Sequence, residues 1–116
     1  MDNYFNNKEE LAVKFKRCQD IFIALGDITR QKIMLILLAN KKTGMRVNDI
    51  AEQTPLSRPA VSHHLKILKN ANIVAVNRIG TKNYYHINCK ETSWKQLAEL
   101  SDDIYERVKK YENREI

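Results

Sequence analysis

Apolar residues recur with helical spacing from the start of the chain. They lie four, three, four and three positions apart, in the row Leu11, Phe15, Cys18, Phe22 and Leu25. Such a row forms one stripe on an α-helix. We therefore predict a first helix over residues 8–25, ended by Gly26. Asp27 is a good N-cap for a second helix, whose apolar run over residues 33–38 is typical of a central core helix.

Two shorter helices are predicted next, separated by a tight turn. The first covers residues 47–53 and ends before Pro55, since proline disfavours helix in the residue that precedes it. Ser57 is a good N-cap for the second, which carries Pro59 in its first turn and continues to about residue 72. Helix, turn and helix over 47–72 form a helix-turn-helix.

The pattern then changes to two runs rich in β-branched and aromatic residues, over 73–79 and 82–88. Gly80-Thr81 between them suits a type II′ hairpin turn with glycine first. Helical spacing returns over residues 91–111, with one stripe of Trp94, Leu97, Leu100, Ile104, Val108 and Tyr111. The predicted fold is mainly α, with the order α1-α2-α3-α4-β-β-α5 and a β-hairpin as a wing, in a single domain over residues 1–116.

The second helix of the helix-turn-helix separates into two faces when projected at about 100° per residue. Val61, Leu65 and Leu68 fall on one face and are expected to be buried. The opposite face is polar, with Arg58 on its flank; it consists of Pro59, Ser62, His63, Lys66 and Asn70. This segment is therefore amphipathic and has no carboxylate on its outer side.

The distribution of charge along the chain also points to this part of the sequence as a binding surface. The chain carries 20 Lys and Arg, 14 Asp and Glu, and a formal net charge of +6. Between residues 53 and 90 there is no acidic residue, while Arg58, Lys66, Lys69, Arg78, Lys82 and Lys90 lie there, so the whole excess belongs to this stretch. A basic patch of this size attracts a polyanion. A solvated face without a partner is the alternative, but such faces normally include acidic residues.

Polar and basic side chains on a projecting helix suit the major groove of DNA. Arg and Lys reach guanine acceptors or phosphates, Ser and His bond to base edges, and Pro contacts a thymine methyl group. The hairpin carries Arg78 and Lys82 beside Gly80, where they suit a phosphate backbone or a minor groove. A hairpin tip with charges is common, but one directly after a helix-turn-helix is a specific combination.

Three segments resemble the ArsR-type winged-helix repressors: residues 24–30 (ALGDITR), 57–68 (SRPAVSHHLKIL) and 80–85 (GTKNYY). The resemblance spans about residues 22–88. It implies a homodimer that binds an imperfect palindrome in double-stranded DNA. It also implies DNA contacts from the helix at Ser57, Arg58, Pro59, Ser62 and His63, to which the projection adds Lys66. The implied wing contacts lie around Arg78 and Thr81. Many relatives carry Arg or Lys where this chain has Thr81, so the wing contact is expected to weaken or to shift to Lys82.

The stripes on the first and last helices are wider than a small core can cover. Burying one more Leu or Phe stabilises a protein by roughly 1.5–3 kcal/mol, so a two-fold dimer is the natural way to cover them. The expected interface consists of Leu11, Phe15, Cys18, Phe22, Trp94, Leu97, Leu100, Ile104 and Val108.

The resemblance raises the question of a sensed signal. Many relatives bind metal ions, often through Cys-x-Cys on the first helix of the helix-turn-helix, but here those positions are Arg46-Val47-Asn48. The last helix has no histidine, so no metal site and no cofactor are expected. Cys18 and Cys89 leave open a thiol-based redox sensor, although a cysteine on an apolar stripe is usually structural. An inducer of another class is also open.

Other function classes lack support in the sequence. No phosphate-binding loop, catalytic triad or carboxylate pair is evident, so we do not expect an enzyme. The longest apolar run, from Ile33 to Ala39, is too short for a membrane helix, which needs about 20 residues. Without a secretory signal at Met1, a cytoplasmic protein with reduced thiols is expected. The rival function is a dimeric protein-interaction module of winged-helix shape that does not bind DNA.

Overall fold

The structure, a computed structural model, describes residues 8–40, 44–90 and 92–114. In that part of the chain the elements follow one another as α1 (Lys8–Arg17), α2 (Gln19–Leu25), α3 (Ile28–Ala39), α4 (Val47–Glu52), α5 (Arg58–Asn70), β1 (Val74–Ile79), β2 (Lys82–Ile87) and α6 (Thr92–Arg114). The mainly helical fold with one antiparallel hairpin agrees with the prediction. None of the described helices is both long and apolar enough to span a membrane.

The prediction of one continuous first helix is wrong, because the chain turns at Cys18. The Cys18 N–H donates to Phe15 O at 3.1 Å, a bond over three residues that tightens the backbone. Cys18 itself has ψ near 2°, outside the helical range. The break gives the two halves different neighbours: α1 packs along α6, whereas α2 packs against α3 and α5.

The core lies where α2, α3, α4 and α5 meet the hairpin and the first half of α6. Fully buried members come from nearly every element and include Cys18, Ile33, Ile50, Val61, Leu65, Leu68, Ile73, Val74 and Leu100. Val61, Leu65 and Leu68 were predicted to be buried from their helical spacing, and all three are fully buried.

Local capping fixes where α3 and α5 begin and where α5 ends. Asp27 Oδ1 accepts from Arg30 N at 3.1 Å and Ser57 Oγ from Ala60 N at 3.3 Å, as predicted. At the other end, Asn72 adopts φ +59°, and Ile73 N donates to Leu68 O at 3.0 Å. This arrangement is a Schellman motif, in which asparagine tolerates the left-handed conformation. The helix therefore stops at residue 70, two residues before the predicted end.

The hairpin has the predicted two-residue turn, with Ile79 paired to Lys82. Gly80 has φ +64° whereas Thr81 does not have a positive φ, which fits type II′ rather than type I′. An additional bridge, not predicted, joins Met45 to Tyr85 through bonds of 2.7 and 2.8 Å. It ties the segment before α4 to the wing, so that the helix-turn-helix and the hairpin are held together.

Candidate nucleic-acid interface

The helix-turn-helix consists of α4, the turn over residues 53–57 and α5. Inside the turn, Thr54 Oγ1 accepts from Leu56 N at 3.2 Å and donates to Ala51 O at 3.4 Å. These bonds satisfy backbone groups that the short helix leaves open. On the inner side, Ile50 and Leu65 are fully buried. The two helices are therefore packed firmly enough for α5 to present a defined outer surface.

The outer surface of α5 is exposed along its whole predicted length. We call this set of side chains the α5 face: Arg58, Pro59, Ser62, His63 and Lys66, all exposed, beside the exposed cap residue Ser57. Among the described residues, the side chains of this face make few contacts with the rest of the protein: Ser57 Oγ caps the helix, and the His63 ring meets the His64 ring edge to face. The face is about two helical turns long, which is the length that enters a major groove.

Wing residues continue this surface. Arg78, Thr81 and Lys82 are exposed around the turn, and Arg78 Nε donates to Gly80 O at 3.1 Å, which holds the guanidinium beside the turn. Ile79 is 61% exposed at the same tip, a position that the sequence analysis did not single out. An apolar residue next to the turn glycine was the signal that could have found it.

The basic side chains of residues 53–90 form no ion pair with any acidic residue that the structure describes. Every ion pair found among the described residues lies outside this stretch, as in Lys14–Asp103, Arg30–Asp27, Arg107–Asp103 and Lys109–Glu106. Arg58, Lys66 and Lys82 are exposed to solvent. A surface of this kind releases counterions when it binds a polyphosphate.

The residues predicted to form the dimer interface differ in how far the single chain exposes them. Phe15, Phe22 and Val108 are 42%, 41% and 53% exposed, and Leu11, Trp94, Leu97 and Ile104 are half-buried. Cys18 is 0% exposed within the single chain and belongs to the core rather than to the predicted interface, because the chain turns there and the side chain points inward. Leu100 is 2% exposed and also packs in the core, although it lines the floor of one apolar groove along α6.

Two apolar grooves lie along α6 and share Ile104 and Val108. One has a volume of about 370 Å³ and is also lined by Leu11, Phe15 and Tyr111. The other, of about 380 Å³, is also lined by Phe22, Leu97 and Tyr105. We call these two grooves together the pairing face. Tyr105 is 60% exposed and was not predicted, although it lies eight residues after Leu97 and so widens the predicted stripe.

Comparison with known proteins agrees with this geometry. A model described as "Bacterial regulatory protein, arsR family" matches residues 27–76, which cover α3 to the start of β1. An HTH-type transcriptional regulator of Methanocaldococcus jannaschii is 36% identical over 91 residues, 78% of this chain and 98% of that protein. This chain belongs to the ArsR family. The transcriptional repressor SdpR of Bacillus subtilis is 42% identical over 69 residues, 60% of this chain and 73% of its own length.

A solved structure extends the comparison to the fold. The homodimeric winged helix-turn-helix DNA-binding domain of a possible ArsR-family regulator from Mycobacterium bovis has a TM-score of 0.58 and 25% identity, over 85% of this chain and 87% of that one. The winged helix-turn-helix prediction is thus confirmed, and the ArsR-family protein described here is a transcriptional regulator. The family model does not cover α1, α2 or α6, the helices that carry the pairing face.

The two cysteines of this ArsR-family chain have different surroundings. Cys18 is fully buried, and burial raises the pKa of its thiol, which disfavours the reactive thiolate. Cys89 is exposed after the wing, and its Sγ donates to Ile87 O at 3.6 Å. Within residues 8–40, 44–90 and 92–114 no three His, Cys, Asp or Glu side chains lie together in a group that could hold a metal ion.

Proposed function

We propose that this ArsR-family protein is a homodimeric repressor that binds an imperfect palindrome in double-stranded DNA. The observation that carries the proposal is the α5 face, which is exposed, free of carboxylates and flanked by basic wing residues that form no ion pair with the described part of the chain. Because this face carries no negative charge, it is not repelled when it approaches the phosphates of DNA. The family supports the regulatory role, and the homodimeric neighbour supports the assembly.

Each side chain of the α5 face has a role that follows from its chemistry. Ser57 and Arg58 begin the helix and contact phosphates, because the helix N-terminus and the guanidinium both favour anions. Ser62 and His63 lie mid-helix and bond to base edges, and Pro59 contacts a thymine methyl group. Lys66 reaches a phosphate or a guanine.

The wing supplies contacts that do not depend on sequence. Lys82 is exposed and forms no ion pair with the residues that the structure describes, so it is free to make the phosphate contact that Thr81 cannot make. Arg78 is exposed beside the turn, where its Nε already donates to Gly80 O. Together they follow the backbone or the edge of a minor groove.

Pairing through α1, α2 and α6 accounts for the apolar side chains that the single chain leaves exposed. The grooves on the pairing face accept side chains of a second copy, with Phe15, Phe22 and Val108 as the most exposed members of the predicted set. A two-fold dimer then presents two copies of α5. For both to enter one face of a B-form duplex, their centres are about 34–36 Å apart.

Salt dependence distinguishes this function from a protein-interaction module. Fluorescence anisotropy with a labelled random-sequence duplex, titrated from roughly 50 to 200 mM salt, is expected to show log affinity falling linearly with log salt, with a slope of several units. A salt-independent interaction, or no duplex binding even at low salt, would contradict the proposal. A poly-glutamate competitor at matched charge serves as the control for unspecific attraction.

A further inference from the structure

Arg30 is a buried cation that bonds to three parts of the molecule. The residue is 9% exposed. Its Nε donates to Ala24 O and its Nη2 to Ile23 O, both at 2.9 Å, so it binds the last carbonyls of α2. Its Nη1 lies 3.2 Å from His64 Nδ1 on α5. Asp27 Oδ2, just before α3, lies 3.9 Å from Arg30 Nη1.

The contact places one side chain between the pairing helix and the DNA-facing helix. Ile23, whose carbonyl Arg30 binds, is 62% exposed on α2. His64 follows His63 of the α5 face directly, and the two rings meet edge to face with centroids 5.6 Å apart. Because adjacent helical residues point about 100° apart, holding His64 inward fixes the rotation of α5 and so points the whole α5 face outward, including the phosphate-contacting Arg58 and Lys66.

The chemistry of the contact requires one protonation state of His64. A guanidinium only donates, so Nδ1 must accept and the proton of the neutral ring lies on Nε2. Protonation of the ring turns Nδ1 into a donor and places two cations side by side. The charged or titratable groups that face His64 are Arg30 and Asp27 from α3 and His63 from its own helix, while α2 contributes backbone carbonyls.

We propose that Arg30 is a positioning residue for DNA binding, which orients α5 through neutral His64, and that protonation of His64 releases this link and lowers DNA affinity. The inference rests on the proposed DNA-binding function. Protonation of the two neighbouring histidines is expected to have opposite effects on DNA affinity. Protonating His64 lowers the affinity, whereas protonating His63 on the exposed face adds a positive charge towards DNA and raises it.

Substitutions at the two histidines separate these effects. In a His63→Asn background, which removes the opposing effect, affinity for a random-sequence duplex is expected to fall about tenfold from pH 8 to pH 5.5. Adding His64→Asn keeps an acceptor near the position of Nδ1 but does not titrate, so affinity stays near the pH 8 level throughout. Adding His64→Leu removes the acceptor and gives low affinity at both pH values. Identical pH profiles for the three proteins would overturn the proposal.

A second measurement needs no DNA and tests the link by itself. Long-range ¹H–¹⁵N NMR of the free protein reports the tautomer of each histidine ring. At pH 8 the proposal expects His64 with its proton on Nε2, and acidification should shift the amide signals of Ile23 and Ala24 in the wild type but not in His64→Asn. A ring protonated on Nδ1 at pH 8 would refute the link. Duplex binding at pH 8 tests the DNA-binding function separately.

Discussion

Ser62 and His63 lie beside each other in the middle of α5, directly after the buried Val61. Their side chains are exposed, and the protein makes no use of the Ser62 hydroxyl in its own hydrogen bonds among the described residues. Small hydrogen-bonding side chains at this position suit base edges rather than phosphates. We therefore expect selectivity and general affinity to reside in different residues of the same surface.

Ser62→Ala and His63→Ala are expected to reduce affinity for the preferred sequence by about 1–3 kcal/mol each while random-sequence binding changes little. Gel shifts with both duplexes measure the difference. The dimer mass from sedimentation should stay that of the wild type. Equal losses on both duplexes would show that these residues do not contact base edges.

Lys82→Ala is expected to weaken binding to all sequences alike and to lower the salt slope by about one, since one phosphate contact is lost. The matched control is Lys95→Ala, an exposed lysine on α6 outside the acid-free stretch. The wing assignment fails if both substitutions change the slope equally.

The sequence predicted the role of a single residue well where that role depends only on its near neighbours in the chain. The caps Asp27 and Ser57 were found from residue type and position, and the exposed side of α5 from its period. The position of Arg30 was not predicted, because nothing in the sequence shows that the carbonyls of Ile23 and Ala24 and the ring of His64 converge on one buried cation.

At the scale of elements, the Asp103 carboxylate on α6 connects α1 to α6 through hydrogen bonds. Asp103 Oδ1 accepts from Arg107 Nε at 2.7 Å, and Oδ2 accepts from Lys14 Nζ at 3.0 Å. The hydrogen bond from Arg107, followed by that from Lys14, holds the pKa of Asp103 below its usual range. A lowered carboxyl pKa adds stability above the usual value near 4, which is lost as the pH falls through the lowered value.

Asp103→Asn is therefore expected to lower the melting temperature at pH 7 and to lose less stability than the wild type between pH 5 and pH 3. Thermal unfolding followed by circular dichroism measures both. The neighbouring Asp102 is exposed and makes no ion pair with the described residues, so Asp102→Asn is the control and should titrate like the wild type. An unchanged acid response in Asp103→Asn would exclude this connection.

Element type was predictable, whereas the break in the first helix was not. The apolar row from Leu11 to Leu25 keeps its period through Cys18, so the pattern alone gives one helix. The turn at residue 18 depends on α1 and α2 having different partners, α6 and the α3–α5 core, which is a tertiary effect. The same break moved Cys18 from the predicted interface into the core.

At the scale of the whole molecule, DNA binding is expected to depend on formation of the dimer. Val108 lines both grooves of the pairing face and is 53% exposed. A charged side chain at position 108 loses its hydration when a second copy covers it. That loss costs free energy unless an opposite charge or a hydrogen-bond partner is present. Because two linked α5 helices bind far more tightly than one, loss of the dimer also removes most of the DNA affinity.

Val108→Asp is expected to shift the protein from dimer to monomer in sedimentation and to reduce duplex affinity by at least tenfold. Lys110→Asp, on the opposite side of α6, is the control for added negative charge and should remain dimeric. A dimeric Val108→Asp protein would place the interface elsewhere.

Selection of bound duplexes from a random library by the purified protein tests the central claim most directly. The account predicts enrichment of an inverted repeat whose half-site centres are one helical turn, about 10–10.5 bp, apart, with affinity lost when about five base pairs are inserted between them. Enrichment of a single unpaired site, or of no sequence at all, would contradict two copies of α5 reading one face of B-form DNA.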